Sequence, residues 1–451
     1  MKNVFKFIKK ISLISLPIVL QQLFLNLASL LDTLMVGQLD DASISGVYIA
    51  TQIIFVINML VFGSIEGGSI FFSQYYGIKD EKNMGKTFAF KIIASCFVAG
   101  LATIIIAIFG RDIVSLFLNS EKEISIALDY LNIVNYTLIP FAISVTLSST
   151  LREYHIGLPP MIITFIGVIF NLIFNYLLIY GKFGFPAMGA VGAAIGTIIN
   201  RIIECVVLII LCMIKKYGFV KNFISSFKIE NSLFKKMLIK SIPLMFNEFL
   251  WGLQQTVIVF FFAKNDAIAT TVLPIVSTIV NLLFVVILGI GNAVSIAVGN
   301  TIGENEIKRA QKEAYITLGF TTICCLILGI ILLLFAEPIV SLYTGVSLNA
   351  RELAAVLIRF NAFFILLSGV NTNLFFLLRA GGRSGLVFFF DSVYGWIISI
   401  PALILINNFT SVDFKTLYMV IYSLDIIKCI IGFILVYSKK WCKNLTLSNA
   451  N

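Results

Sequence analysis

Residues 87–110 read TFAFKIIASCFVAGLATIIIAIFG, and the only charge in the run is Lys91. At 1.5 Å per residue a helix of this length spans about 36 Å, enough for a hydrocarbon layer of about 30 Å. Inside that layer a backbone must satisfy its own N–H and C=O groups, so the run reads as a transmembrane helix. Eleven more apolar runs of helical length lie on either side, at about 12–36, 46–76, 124–150, 159–180, 188–214, 236–263, 268–301, 314–336, 352–378, 384–407 and 416–437. The expected fold is therefore an all-α polytopic membrane protein with twelve transmembrane helices. Composition points the same way: of 451 residues 59% are hydrophobic and 12% charged, about half the charge of a soluble domain. A soluble multidomain enzyme and a disordered chain are both excluded.

The net charge of +10 has a topological reading. With a cytoplasmic N-terminus, 24 Lys and Arg residues fall on the cytoplasmic side and 6 in outer loops. That split predicts both termini cytoplasmic and removes nucleic acid as a partner. Four lysines precede the first run as in a signal peptide, but the run is too long, contains Pro17 and lacks a small-residue cleavage site. Of seven cysteines none is expected in an outer loop, so neither a disulfide framework nor a metal cluster nor a cofactor is indicated. The Lys-rich connection 215–235 reads as a cytoplasmic linker between an N-terminal bundle, 1–214, and a C-terminal bundle with a short tail, 236–451.

The halves repeat. At an offset of 226, Ser15 and Pro17 fall on Ser241 and Pro243, Asp40 on Asp266, Gly63 on Gly289, Ser69 on Ser295 and Lys86 on Lys312; at 227, Arg152 falls on Arg379. Six helices per half make the repeats parallel and pseudo-symmetric, the arrangement in which transporters place a substrate site between halves that rock.

A charge at mid-bilayer costs about 2.5–3.5 kcal/mol on insertion scales, so each needs a reason. Arg201 with Glu204, and Asp425 with Lys428, stand at i,i+3 and read as ion pairs. Asp32, Glu66, Glu248 and Asp391 have no basic residue at i±3 or i±4. Such a carboxylate binds a cation, holds a proton or faces water. Asn171 and Asn175 share a helix face, and with Asp32 and Thr197 they form an all-oxygen set suited to Na⁺ or to a proton. The repeat maps Asp32 to Ile258, Asn171 to Ile398 and Asn175 to Ala402, so this candidate cation site belongs to the N-terminal half alone. In the second half, Asn247, Glu248 and Trp251, together with Asp391, Tyr394 and Trp396, place acids beside aromatics and suit an organic cation.

These residues carry a resemblance. Pro17 followed by Asp32-Thr33-Leu34-Met35-Val36-Gly37, the stretch 167–175 with Asn171 and Asn175, Tyr180-Gly181-Lys182-Phe183-Gly184, and Gly189 through Gly192 and Gly196 to Thr197 are similar to the multidrug and toxic compound extrusion family, in its NorM-like bacterial branch. The resemblance implies export of amphipathic, mostly cationic compounds from the bacterial plasma membrane by a monomer, in exchange for Na⁺ or H⁺. It implies coupling-ion roles for Asp32, Asn171 and Asn175 and a substrate or second-ion role for Glu248. Where some members carry an aspartate on helix 10, this chain has Ser368, with Asn371 and Asn373 a turn onward, and Asp391 is a candidate for the missing charge.

The nearest rival is a lipid-linked sugar flippase of the same superfamily; the unpaired groups within spans are mostly acidic, Arg359 being the exception, and this favours cationic cargo. A membrane-embedded enzyme lacks its constellation, since the only histidine is His155 in a short loop beside Arg152 and Glu153. An ATP-driven pump is disfavoured because Gly85-Lys86-Thr87 has Asp80 where a phosphate loop needs glycine.

Overall fold

The computed structural model describes residues 2–36, 39, 41–118, 120–221, 223–266, 268–343, 346–410 and 412–447. Gly37 and Asp40, quoted above for the motif and the repeat, lie outside them, as do the side chains of Thr33 and Leu34. The described chain is helical: α1 Lys2–Val36, α2 Asp41–Gly77, α3 Glu81–Ser115, α4 Glu121–Glu153, α5 Leu158–Tyr180 and α6 Gly189–Lys215 come first. After a one-turn helix, Phe223–Ser226, follow α7 Asn231–Asn265, α8 Ala269–Gly303, α9 Ile307–Ser341, α10 Leu348–Ala380, α11 Ser384–Phe409 and α12 Phe414–Tyr437.

By length and hydropathy eleven of these qualify as membrane spans among the described residues, and the one outside that set is α7. Its 35 residues are long enough. Lysines at its start and Asn247, Glu248, Gln254 and Gln255 along it lower its hydropathy. Large apolar side chains such as Phe97, Ile108, Leu334 and Ile434 are exposed along the helices, which is the surface an acyl-chain solvent requires.

Helix ends and interruptions have local causes. The Asp80 side chain caps α3 by accepting the Asn83 N–H at 3.0 Å. Gly181 ends α5 at φ +65°, and a Cβ there would come within 2.7 Å of the Ala187 nitrogen, so glycine serves both needs. A 3₁₀ turn, Asn135–Thr137, interrupts α4 ahead of Pro140. Two π-helical turns, Phe389–Val393 and Gly395–Ser399, precede Pro401 in α11. A proline cannot donate to the carbonyl one turn back, and the preceding turn tightens or widens in response.

The chain forms two compact units, one of Leu20–Met245 and one of Met1–Val19 with Phe246–Asn451. The division does not run through the linker, because the first turns of α1 and α7 make their contacts with the unit formed mainly by the other half. In the first unit Gly63 and Gly67 lie against Met245 and Ser241; in the second Gly289 lies against Val19. Such close approach between helices requires glycine, since a Cβ at any of the three would overlap the neighbour. The first unit's core runs through Val61, Ile65, Ala99, Ile106, Leu131, Leu138 and Ala194. The second unit's core includes Ile258, Phe262, Val272, Leu332, Ile358, Leu403 and Phe414.

Candidate functional site

In the first unit the α5–α6 contact is built on small residues. A Cβ on Gly192 would lie 2.6 Å from the Leu178 carbonyl, one on Gly196 would overlap the Asn175 amide oxygen, and one on Gly167 would overlap that of Asn200. This close packing encloses Asn175 completely and leaves Asn171 only 3% exposed. The Asn175 Nδ2 donates to Asp32 Oδ1 at 2.5 Å and to Asn171 Oδ1 at 3.5 Å. The Asn175 Oδ1 is buried and has no hydrogen-bond partner among the described residues. An unpartnered buried carbonyl beside a carboxylate and a second amide oxygen is a set of hard donors.

Thr197 joins this group indirectly. Its hydroxyl donates to Ala193 O at 3.0 Å, and Tyr130 of α4, close to Thr197, lies within electrostatic reach of Asp32. Tyr180 donates to Met35 O at 2.9 Å and ties the end of α5 to α1. Neither tyrosine is marked by helical spacing; both reach Asp32 or its helix from elsewhere in the fold. Glu66 is half-buried on α2.

Below this group, toward the α1 start, runs a second polar chain. Arg152 Nη1 donates to Gln21 Oε1 (2.9 Å), Gln21 Nε2 to Thr164 Oγ1 (2.9 Å), and Thr164 to Glu204 Oε1 (2.9 Å). Arg201 completes it with a 3.1 Å bond to Glu204, the i,i+3 pair the spacing predicts.

In the second unit, Asn247 Nδ2 donates to Asp391 Oδ2 at 3.0 Å, and Ser392 donates to Asn247 O and Oδ1 at 2.8 and 2.9 Å. Asp391 is not unpaired: Lys428 Nζ lies 2.5 Å from its Oδ1. The expected Asp425–Lys428 bond is replaced by this one, because the better-placed acid comes from α11, 37 residues away, where spacing along one helix cannot reveal it. Asp425 stays within electrostatic reach of Lys428, and Glu248 within reach of Asp391. Among the described residues Glu248 itself has no hydrogen bond. Tyr394 donates to Leu424 O at 2.5 Å and Trp396 to Leu250 O at 3.1 Å, so their polar ends brace α12 and α7. Trp251 and Ser368 are half-buried, and Asn371 donates to Asp425 O at 3.1 Å.

Two further expectations are corrected. Arg359 is neither buried nor unpaired; it is 45% exposed at its side chain and pairs with Glu337. Glu153 is no loop residue but the end of α4, buried, and it accepts two bonds from Lys91 at 2.9 Å; Lys91 gives a third to Ser149 at 3.1 Å, and Ser149 donates to Glu153 Oε1 at 2.7 Å. Lys91, the single charge of 87–110, is thus fully buried. His155 stacks on Tyr76 with ring centres 4.7 Å apart and planes at 15°. At the linker, Lys86 donates to Glu230 at 2.5 Å, and that bond holds the Glu230 carboxyl below its usual range.

A family model described as MatE matches residues 17–177 and 243–405, well over half of the chain. "Probable multidrug resistance protein NorM" of Oceanobacillus iheyensis is 26% identical over 422 residues, covering 90% of this chain and 91% of the relative. The protein of the same name from Bacillus cereus is 26% identical over 418 residues and 89% of each chain. Among solved structures, the outward-facing conformation of a multidrug resistance MATE family transporter of the MOP superfamily superposes with TM-score 0.88 at 16% identity, covering 96% of this chain and 95% of that one. A mutant of the Vibrio cholerae MATE transporter VcmN gives TM-score 0.88 at 17% identity, covering 100% and 99%. With a family model matched in both halves and a fold shared with solved transporters, this multi-pass membrane protein belongs to the MatE family of transporters.

Proposed function

We propose that the chain is a secondary antiporter that exports amphipathic, mostly cationic organic compounds by alternating access, driven by inward Na⁺ or H⁺. The relatives named as multidrug resistance proteins support the cargo class. The observation that carries the coupling is the Asp32–Asn175 bond beside the unpartnered, buried Asn175 Oδ1. Asp32 supplies the charge, and the Asn171 and Asn175 oxygens supply neutral donors for Na⁺; with H⁺ as the driver, Asp32 carries the proton and the amides orient it. Glu248, with no hydrogen bond among the described residues and close to Asp391, is the carboxylate most available to a cationic substrate. Cation and substrate need differential affinity for the two orientations of the carrier, or neither shifts the equilibrium.

The test is dye efflux from vesicles with Na⁺ and pH gradients imposed separately. One gradient should suffice to drive uphill transport, and identical, gradient-independent rates would sink the antiport reading. Glu248→Gln should slow cationic dyes more than neutral ones; equal loss for both would remove the substrate role of Glu248.

A further inference from the structure

The second unit holds three carboxylates and one ammonium in a single neighbourhood. Glu248 lies on α7, Asp391 on α11, and Asp425 and Lys428 on α12. Lys428 is bonded to Asp391 at 2.5 Å, stands 5.4 Å from the Phe390 ring centre, and has a side chain only 15% exposed. Asp391 sits in the π-helical turn Phe389–Val393, a distortion that re-aims side chains and leaves backbone bonding irregular. A separate observation points to a ligand there. Asn371, 5% exposed, gives an amide N–H to the Asp425 carbonyl and leaves its own Oδ1 without a partner among the described residues.

The internal repeat shows what is unusual about this arrangement. At an offset of 227, Lys428 corresponds to Arg201 and Asp391 to Thr164; at 226, Asn247 corresponds to Gln21. Each half thus keeps an amide on its first helix, bonded to a residue on its fifth, next to a cation on its sixth. In the first half the cation is neutralised by Glu204 on its own helix. In the second half the position equivalent to Glu204 is Ile431, and the cation takes Asp391. Two carboxylates, Glu248 and Asp425, remain beyond that pair.

We propose that the Lys428 ammonium is a built-in counter-ion that sets how much positive charge this cluster accepts, and so makes Lys428 a specificity-determining residue for cationic substrates. A tethered cation occupies one carboxylate permanently. A monocation can be met by what remains, whereas a dication must compete with Lys428 for Asp391. Neutralising Lys428 adds one net negative charge to a poorly solvated site, and the gain is larger for a doubly charged ligand. The inference rests on the substrate class proposed above.

The test is equilibrium binding to purified full-length protein in detergent at one pH, with tetraphenylphosphonium as the monocation and an alkane-linked bis(triphenylphosphonium) as the dication. Lys428→Met should shift the ratio of the two affinities about tenfold toward the dication, while Lys428→Arg should stay close to wild type. Asp391→Asn, which removes the acid instead, should move the ratio the other way, and it decides the matter if Lys428→Met does not fold. An unchanged ratio in Lys428→Met, or in Asp391→Asn where only that variant folds, overturns the counter-ion role. Wild-type protein that binds neither probe overturns the substrate reading itself, so the two failures are told apart.

Discussion

Where Asp32 meets Asn175 in the N-terminal half, the repeat-equivalent Ile258 of the C-terminal half is buried in an apolar core with Phe262 and Leu403. A second pair of equivalent positions differs in the same sense. The α3–α4 crossing holds the enclosed Lys91–Glu153 pair and the Ser95–Thr146 bond at 3.0 Å. The corresponding α9–α10 crossing holds Thr317 in place of Lys91, and Asn373 bonded to Thr317 and Thr321 at 3.3 and 2.6 Å. Duplication kept the helix contacts and their polar register. It did not keep the charges, which have sorted into an N-terminal half with a candidate ion site and a C-terminal half with a Lys-filled acidic cluster.

The contrast between the crossings is the easiest part to break. Lys91→Met leaves Glu153 buried and uncompensated, and should cost about 3–5 kcal/mol, read as a large fall in the thermal midpoint of detergent-purified protein. Asp32→Asn should leave folding intact and reduce gradient-driven efflux about a hundredfold, or about 2.7 kcal/mol, if the N-terminal half alone couples transport. Retained efflux with the same cation dependence would erase the asymmetry. Gly196→Ala forces the new Cβ onto Asn175 and should weaken cation dependence about tenfold without removing any charge. Ala at the equivalent side of the C-terminal half gives no such expectation. Thr317→Val removes a neutral hydroxyl from an amide network and should cost about 1 kcal/mol; a loss as large as that of Lys91→Met would show that charge is not what separates the crossings.

The smallest effect lies at the linker. Lys86 is tied to Glu230, while the equivalent Lys312 is exposed and has no partner among the described residues. Because the Glu230 carboxyl is held below its ordinary value, the tie is present above that value and lost as pH falls through the lowered one. Proteolysis of the 215–235 connection should therefore accelerate only in acid, and a constant rate down to that pH would mean the tie contributes nothing. Glu230 is 60% exposed at its side chain, so the effect is screened and modest.

The order of the helices, the two-fold repeat and the Asp32, Asn171 and Asn175 set are legible in the amino-acid sequence. Apolar runs of bilayer length, a constant offset and i,i+4 amides are properties of one strand of chain, and the bilayer admits few other solutions for them. The spacing reveals Arg201–Glu204, but the partners of Lys428 and Lys91 were decided only by tertiary structure. Lys428 stands three residues from Asp425 yet bonds Asp391, and Lys91 looks like the edge of a span yet is sealed against Glu153. In a low-dielectric interior a charge takes the partner that desolvated geometry brings closest. That partner usually sits on another helix, at a separation no periodicity records.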